Sequence, residues 1–467
     1  MHKIKFGTDG WRAIIAKDFT VDNLVLITSA TATWLVKKHK NPSVIIGYDT
    51  RFGGWLFAET VAKVMGMKGV KVFLSTSFVS TPMVSFAIPG KGASLGVMIT
   101  ASHNPPLYNG YKLKGQHGGP LLTKDLNDIE HLISEEHAVD ITLTNLENLE
   151  SKGLIEHLDM ESLYLDHFTD SFSPAVFEKQ NTLAFDAMYG SGQNAIKRLF
   201  PESRLVHGID NPTFLGLSPE PLEKNLSEIQ HLIQQDKNIT LGLALDGDAD
   251  RIALFDEQGN YVNSHQILLL LVHYLAGYKK KKGKIVAGFS SSAKTEVLCK
   301  HYNLELERVK IGFKDICRVM LQENVLVGGE ESGGIAVGSH LPERDGLWMG
   351  MLVYQFMLET QKSIRELLEE IYHITGNFAY KREDLFISKD LKSRILEKCH
   401  EGNFSSIGTL DIARTETLDG YKYIFNENEW FMIRPSGTEP LLRLYVEAET
   451  PERAEEILQI GKKAIKE

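Results

Sequence analysis

The chain is 467 residues long, with 51 Lys plus Arg against 61 Asp plus Glu and a formal net charge of −10. Hydrophobic residues make up 43% and charged residues 24%, the balance of a globular protein and not of a disordered chain. The acidic excess speaks against a general nucleic-acid binder, and the longest apolar run, 267–272, is far short of the ~20 residues of a membrane span.

At roughly 100–200 residues per domain, three or four domains are expected. The N-terminus lacks the apolar stretch of a signal peptide. The three cysteines (Cys299, Cys317, Cys399) form no C-x-x-C pair, which predicts reduced thiols in a cytoplasmic protein. Val44-Ile-Ile-Gly-Tyr predicts a strand closed by Asp49, residues 56–67 a helix, and Val70-Lys-Val-Phe-Leu and Leu95-Gly-Val-Met-Ile two more strands. The polar stretch 121–154 predicts the end of a first domain, 1–155. A second unit, 156–256, carries strands at Thr182-Leu-Ala-Phe-Asp and Leu241-Gly-Leu-Ala-Leu. A third, 257–371, carries Lys284-Ile-Val-Ala-Gly-Phe and Val325-Leu-Val and closes on one long helix over 348–371. The remainder, 372–467, reads as a smaller α+β domain with strands at Trp430-Phe-Met-Ile and Leu442-Arg-Leu-Tyr-Val, then a helix from Pro451. The alternation predicts an α/β protein with mixed sheets in three α/β domains plus a C-terminal α+β domain.

Four Gly- and Asp-rich segments interrupt these elements, one per unit, which points to a cleft between domains. Thr100-Ala-Ser-His-Asn-Pro-Pro follows a strand, and its two prolines forbid a regular continuation, so Ser102 can be presented outward beside His103, with Lys112 nine residues on. The same residues also fit an ordinary turn before proline. Asp246-Gly-Asp-Ala-Asp-Arg sets three carboxylates at alternate positions, and such close like charges need a cation or basic partners; a hard divalent ion, most simply Mg²⁺, fits, the plainer alternative being an Asp-rich hairpin turn. A calcium EF-hand is excluded because Arg251 stands where its sharp turn needs Gly and the flanks read as strands. Arg251 also places a cation beside that loop. Gly328-Gly-Glu-Glu-Ser-Gly-Gly puts Glu330 and Ser332 two apart, suited to sugar hydroxyls or simply to a solvated Gly loop. Arg434-Pro-Ser-Gly-Thr-Glu-Pro joins a guanidinium to two hydroxyls and a glycine, a nest for phosphate or a plain turn, and it is not a nucleotide P-loop. Gly190-Ser-Gly-Gln-Asn-Ala mimics a dinucleotide fingerprint, but Asp186 and three further residues separate it from its strand.

Taken in order along the whole chain, the four segments resemble those of the α-D-phosphohexomutases, which interconvert sugar 1-phosphates and 6-phosphates. Phe6-Gly-Thr-Asp-Gly-Trp-Arg is similar to that family's opening segment, whose arginine is here Arg12. The resemblance implies three related α/β domains and a smaller fourth around a central cleft. It implies that Ser102 is phosphorylated in the active enzyme and that Ser102, Asp246, Asp248 and Asp250 hold one Mg²⁺, with Arg251 beside them. Lys112 matches a lysine proposed as general acid/base, and His103 stands beside the serine. Glu330 and Ser332 match sugar contacts, while Arg344 stands where a phosphate-binding lysine is usual. Arg434, Ser436, Gly437 and Thr438 match the loop that grips the substrate phosphate. The implied partner is a small phosphosugar, with a sugar 1,6-bisphosphate as activator and a monomer or homodimer as the assembly. Glu331 and Glu343-Arg-Asp-Gly-Leu-Trp favour glucose; Gly334 departs from the glucose-type loop, and the last loop is as close to the glucosamine type. Mannose or dual specificity, glucosamine, a metal-dependent sugar phosphatase and a non-catalytic regulatory homologue are the alternatives.

Overall fold

The computed structural model describes residues 4–134, 138–402, 404–435 and 441–465. The first sheet runs Trp11–Ile14, Tyr108–Gly115, Leu95–Ile99, Ser43–Tyr48, Lys71–Ser75, Ile155–Leu158 in spatial order. It is mixed: Ser43–Tyr48 pairs in parallel with both neighbours, whereas Tyr108–Gly115 runs antiparallel to Leu95–Ile99. The second sheet orders Tyr261–Val262, Ile252–Phe255, Leu241–Leu245, Leu183–Asp186, Arg204–Val206, and the third Leu306–Val309, Lys284–Gly288, Val325–Gly329, Ile335–Val337. The five-stranded fourth sheet, from Ala379–Phe386 to Arg414–Glu416, is wholly antiparallel and carries the helices Lys389–His400 and Pro451–Ala464. This is the expected architecture.

The units end a few residues later than their composition suggests. Ile155–Leu158 pairs in parallel with Lys71–Ser75, so the first sheet runs past 155. Tyr261–Val262 completes the second sheet beyond 256. The stretch 121–154 is also more ordered than its polarity implies, because the helix Thr123–Ile133 buries Leu126 and Ile129. The long helix expected over 348–371 is two helices, Gly346–Thr360 and Ile364–Thr375. Gln361 turns left-handed at φ 55°, and Ser363 then caps the second helix in a reciprocal pair with Glu366. That S-x-x-E signal was readable in the sequence.

The apolar interior decides how the units are joined. Met83 and Val84 of the first unit, Leu243 and Leu245 of the second, and Leu269 and Val327 of the third belong to one continuous core. The fourth unit has its own core around Phe431, Leu444 and Ile457. It meets the third unit through a small seam of Phe289, Trp430, Met432 and Tyr445, reinforced where the Tyr380 hydroxyl donates to Ser290 O (3.0 Å).

Candidate active site

Each chemistry-bearing segment is the connection of an antiparallel hairpin at the edge or centre of its sheet. Ile99 pairs with Tyr111 across the first, Leu245 with Ile252 across the second, and Gly329 with Ile335 across the third. Pro435 pairs with Leu442 across the fourth. Residues 436–440 of that hairpin, and so Ser436, Gly437 and Thr438, lie outside the described residues.

The serine loop and the aspartate loop meet. Ser102 is buried and left-handed at φ 52°. Its N–H donates to Thr100 Oγ1 at 2.8 Å, and Thr100 in turn donates to Asp49 Oδ2 at 2.5 Å. Its hydroxyl donates to Asp246 Oδ2 at 2.6 Å and lies 3.3 Å from His103 Nδ1. This approach requires glycine at 247, where a Cβ would stand 2.5 Å from Ser102 O. The dinucleotide-like Gly190–Gly192 turn packs behind the same loop, with Ser191 N–H donating to Gly247 O (2.9 Å). It is a brace for the aspartate loop.

One arginine that the sequence reading did not single out holds the serine loop from beneath. Arg51 Nη2 donates to Ser102 O and Asn104 O, both at 2.6 Å, and Nη1 donates to Pro105 O and Tyr108 O, both at 3.0 Å. Asp49 lies 3.4 Å from Arg51 Nε. Asp49-Thr50-Arg51 closes a buried strand with charges, a signal that could have drawn attention to it. Arg12 donates to Asn104 Oδ1 at 2.7 Å, on the opposite flank of the loop.

Asp246, Asp248 and Asp250 are fully buried, and one carboxylate oxygen from each lies within 4.8 Å of the others. Lys112 Nζ bridges Asp248 Oδ2 (2.7 Å), Asp9 Oδ2 (2.9 Å) and Asp250 Oδ2 (3.1 Å). Arg344 Nη2 reaches Asp9 Oδ2 (2.5 Å) and Asp250 Oδ2 (2.7 Å). Gly334 makes this possible, since a Cβ there would meet Arg344 Cδ at 2.4 Å. Asp9 sits in the opening segment but was not expected to take part. Arg251 donates its N–H to Asp246 Oδ1 (3.1 Å), while its guanidinium reaches Glu220 (3.2 Å).

These neighbours set the charges. Burial, reinforced by Asp248 and Asp250, pushes the Asp246 carboxyl well above the ordinary range. Burial also disfavours ionised Asp248, but Lys112 and the Thr81 hydroxyl outweigh it and hold that carboxyl low. Burial works against the Lys112 ammonium, and Asp248, Asp250 and Asp9 more than offset it, so Lys112 is held protonated. His103 is driven well down by burial, then by Arg251, Arg12 and Lys112, so its imidazole is neutral.

The donor set fits a divalent cation. Asp248 Oδ1 and Asp250 Oδ1 are buried without a hydrogen-bond partner. An all-carboxylate set of this kind suits Mg²⁺.

Glu330 is buried, accepts Gly312 N–H on Oε1 (2.7 Å), and is raised to about 7 by burial. Ser332 is half-buried beside it. The Glu331 carboxylate is turned elsewhere: Ser290 Oγ donates to it at 2.9 Å and Arg382 of the fourth unit lies 4.0 Å away. Arg434 donates from Nε to Asp419 Oδ2 (3.1 Å), which also accepts Ile311 N–H (2.9 Å). Arg443, absent from the sequence reading, pairs directly with Arg434 across the hairpin. Each arginine has a carboxylate of its own, Asp419 for Arg434 and, 3.7 Å from Arg443 Nε, Asp384.

The chain matches four family descriptions in succession: phosphoglucomutase/phosphomannomutase alpha/beta/alpha domain I over residues 3–140, domain II over 162–259, domain III over 263–374, and the C-terminal domain over 397–460. A phosphoglucosamine/phosphogalactosamine mutase of Sulfurisphaera tokodaii is 29% identical, covering 98% of each chain. A phosphoglucomutase/phosphomannomutase of Thermococcus kodakarensis is 27% identical over 99% of this chain and 98% of its own. A solved structure from Thermus thermophilus, provisionally assigned as a phosphomannomutase, superposes with a TM-score of 0.86 at 30% identity, covering 100% of this chain and 99% of the other. The chain belongs to the α-D-phosphohexomutase family, and its fold and class of activity, isomerisation of phosphohexoses, are those of that family. Among the described residues no helix is long and apolar enough to cross a membrane.

Proposed function

We propose that this chain interconverts a hexose 1-phosphate and the corresponding 6-phosphate through phosphorylated Ser102 and a bisphosphorylated sugar. The observation that carries the reading is the 2.6 Å hydrogen bond from Ser102 Oγ to Asp246, inside a buried carboxylate triad.

In the forward half-reaction the P–O bond to Ser102 breaks as a free sugar hydroxyl bonds to phosphorus. Overall the sugar hydroxyl's proton goes to the departing Ser102 oxygen, and His103 Nδ1, 3.3 Å from that oxygen, is placed to relay it. In the return step the neutral imidazole accepts the Ser102 proton as the serine attacks the bisphosphate. Lys112, held protonated, supplies fixed positive charge and a donor for the return step. Mg²⁺, held by Asp246, Asp248, Asp250 and phosphorylated Ser102, would offset the charge of the transferring group. Glu330 and Ser332 hold the sugar hydroxyls. Arg434 and Arg443 grip the substrate's other phosphate, together with Ser436, Gly437 and Thr438. The bisphosphate then turns over in the cleft and returns a phosphoryl group to Ser102. The separate core of the fourth unit and its small seam support a domain that adjusts to either orientation.

Glucose phosphate is the proposed substrate, on the Glu-Glu-Ser loop and the Glu343–Trp348 segment. A glucosamine phosphate is the second reading, favoured by relatives named phosphoglucosamine mutase and by the diversion of the Glu331 carboxylate toward Ser290. Glucose, mannose and glucosamine 1-phosphates, each assayed with trace sugar 1,6-bisphosphate and Mg²⁺, separate these readings. Release of inorganic phosphate without 6-phosphate would identify a phosphatase, and no turnover of any substrate would favour a regulatory homologue.

A further inference from the structure

We infer that Thr81, in the first unit, fixes which oxygen of Asp248, in the second, is available to the cation. The inference rests on the metal-binding reading above and adds a positioning residue to it.

Thr81 opens the helix Thr81–Lys91, which Ser80 caps by accepting Met83 N–H, with proline in the first turn. The threonine is fully buried. Its hydroxyl donates to Asp248 Oδ2 at 2.6 Å, and its N–H donates to Asp248 O at 3.0 Å. Lys112 Nζ, from the strand Tyr108–Gly115, donates to the same Oδ2 at 2.7 Å. Two donors therefore occupy one carboxylate oxygen, while Oδ1 is buried without a partner. The two Thr81 bonds hold both ends of the aspartate, its carbonyl and its carboxylate, so the side chain cannot rotate to exchange Oδ1 for Oδ2 without losing a buried hydrogen bond. Partners that orient a ligand in this way tune cation affinity although they never touch the ion. Here the partner comes from a different unit. The cation site is therefore assembled only when the helix start and the aspartate loop are packed together. Lys112 alone does not supply the same constraint, because its ammonium is divided among Asp248, Asp250 and Asp9.

The test is calorimetric titration of the full chain with Mg²⁺, using Thr81→Val, which keeps the shape and removes the donor, and Thr81→Ser, which keeps the donor. Thr81→Val should weaken Mg²⁺ binding about 10–100-fold, while Thr81→Ser stays within about threefold of the parent. The thermal midpoints of the metal-free proteins show whether each variant is folded. Should Thr81→Val fail to fold, Thr81→Ala takes its place in the same titration with the same expected loss. Parent-like affinity in the valine or alanine variant, or a serine variant as weak as valine, would overturn the inference. Failure of the parent to bind Mg²⁺, or equal binding by Asp250→Asn, would instead overturn the metal reading on which it stands.

Discussion

The Ser102 hydroxyl donates to Asp246 Oδ2 at 2.6 Å although the two residues are 144 positions apart in the chain. A phosphoryl group on that oxygen would lie directly against the carboxylate triad. Ser102→Ala should therefore abolish turnover while leaving the circular dichroism spectrum and melting profile close to those of the parent. It should also lose the phosphate seen by intact-mass measurement after incubation with sugar 1,6-bisphosphate. A variant that retains even a tenth of the parent rate contradicts the phosphoserine mechanism.

Arg51, itself buried, binds four carbonyls of the serine loop and of the strand start that follows it. Its loss frees the loop to relax from the left-handed conformation at Ser102. A displacement of about 1 Å at a reacting atom can cost on the order of 100-fold in rate. Arg51→Lys, which offers one ammonium where a fork of nitrogens is needed, should lower kcat by that order with KM and Mg²⁺ affinity little changed. Steady-state kinetics alongside a Mg²⁺ titration check this, and a KM effect alone would argue against it.

Glu330 is raised to about 7, chiefly by burial, with Arg344 opposing and Glu331 adding to the shift. In the proposed mechanism its ionised form accepts the sugar hydroxyls, and that form is lost as pH falls through about 7. The expected outcome is a decline of kcat/KM on the acid side of neutrality. Glu330→Gln should flatten that limb and lower kcat/KM by roughly 10–100-fold, the size of a hydrogen bond to a charged group. The folded state retains a proton there that the unfolded chain releases. This residue's contribution to stability therefore grows as pH drops from about 7 toward the ordinary glutamate range.

Lys422 is the converse case. Its ammonium is buried in the seam between the third and fourth units, 3.8 Å over the Trp430 ring. Burial, then Arg308, lowers it to about 7, with Glu447 and Glu416 opposing and Arg414 adding to the fall. Between about 7 and its ordinary 10.5 the unfolded chain binds the extra proton, so stability rises with pH across that window. The slope from this one group is at most about 1.4 kcal/mol per pH unit. Lys422→Met should remove that rise and stabilise the protein near neutrality. Urea midpoints at pH 7.5 and 9.5 for parent and variant measure both effects.

The hairpin loops were legible because each sits between short apolar runs that must be strands, and because Gly, Pro and alternating Asp have few other uses there. The cluster of three like charges was readable from the sequence, but their convergence is not strand alternation: residues 246–250 form a turn, left-handed at Ala249 (φ 59°). Arg51, Thr81, Asp9 and Arg443 were not readable. Asp9 does stand among glycines, in the opening segment, but each matters only through a partner that is remote in sequence or across a hairpin. The diversion of Glu331 to Ser290 was likewise invisible, because its neighbour Glu330 has the same chemistry and only the tertiary packing, Ser290 of the same unit and Arg382 of the fourth, separates them.

By itself the sequence determined the order of α/β and α+β units and the four loops at which charge and small residues concentrate. Those follow from local forces: apolar periodicity, the backbone limits of Gly and Pro, and repulsion between adjacent acids. Only the tertiary structure decided which carboxylate oxygens are occupied, which remain free, and which basic groups are held charged. Those depend on burial and on distances between units, where one shared core brings Thr81, Lys112 and Ser102 of the first unit against the aspartates of the second.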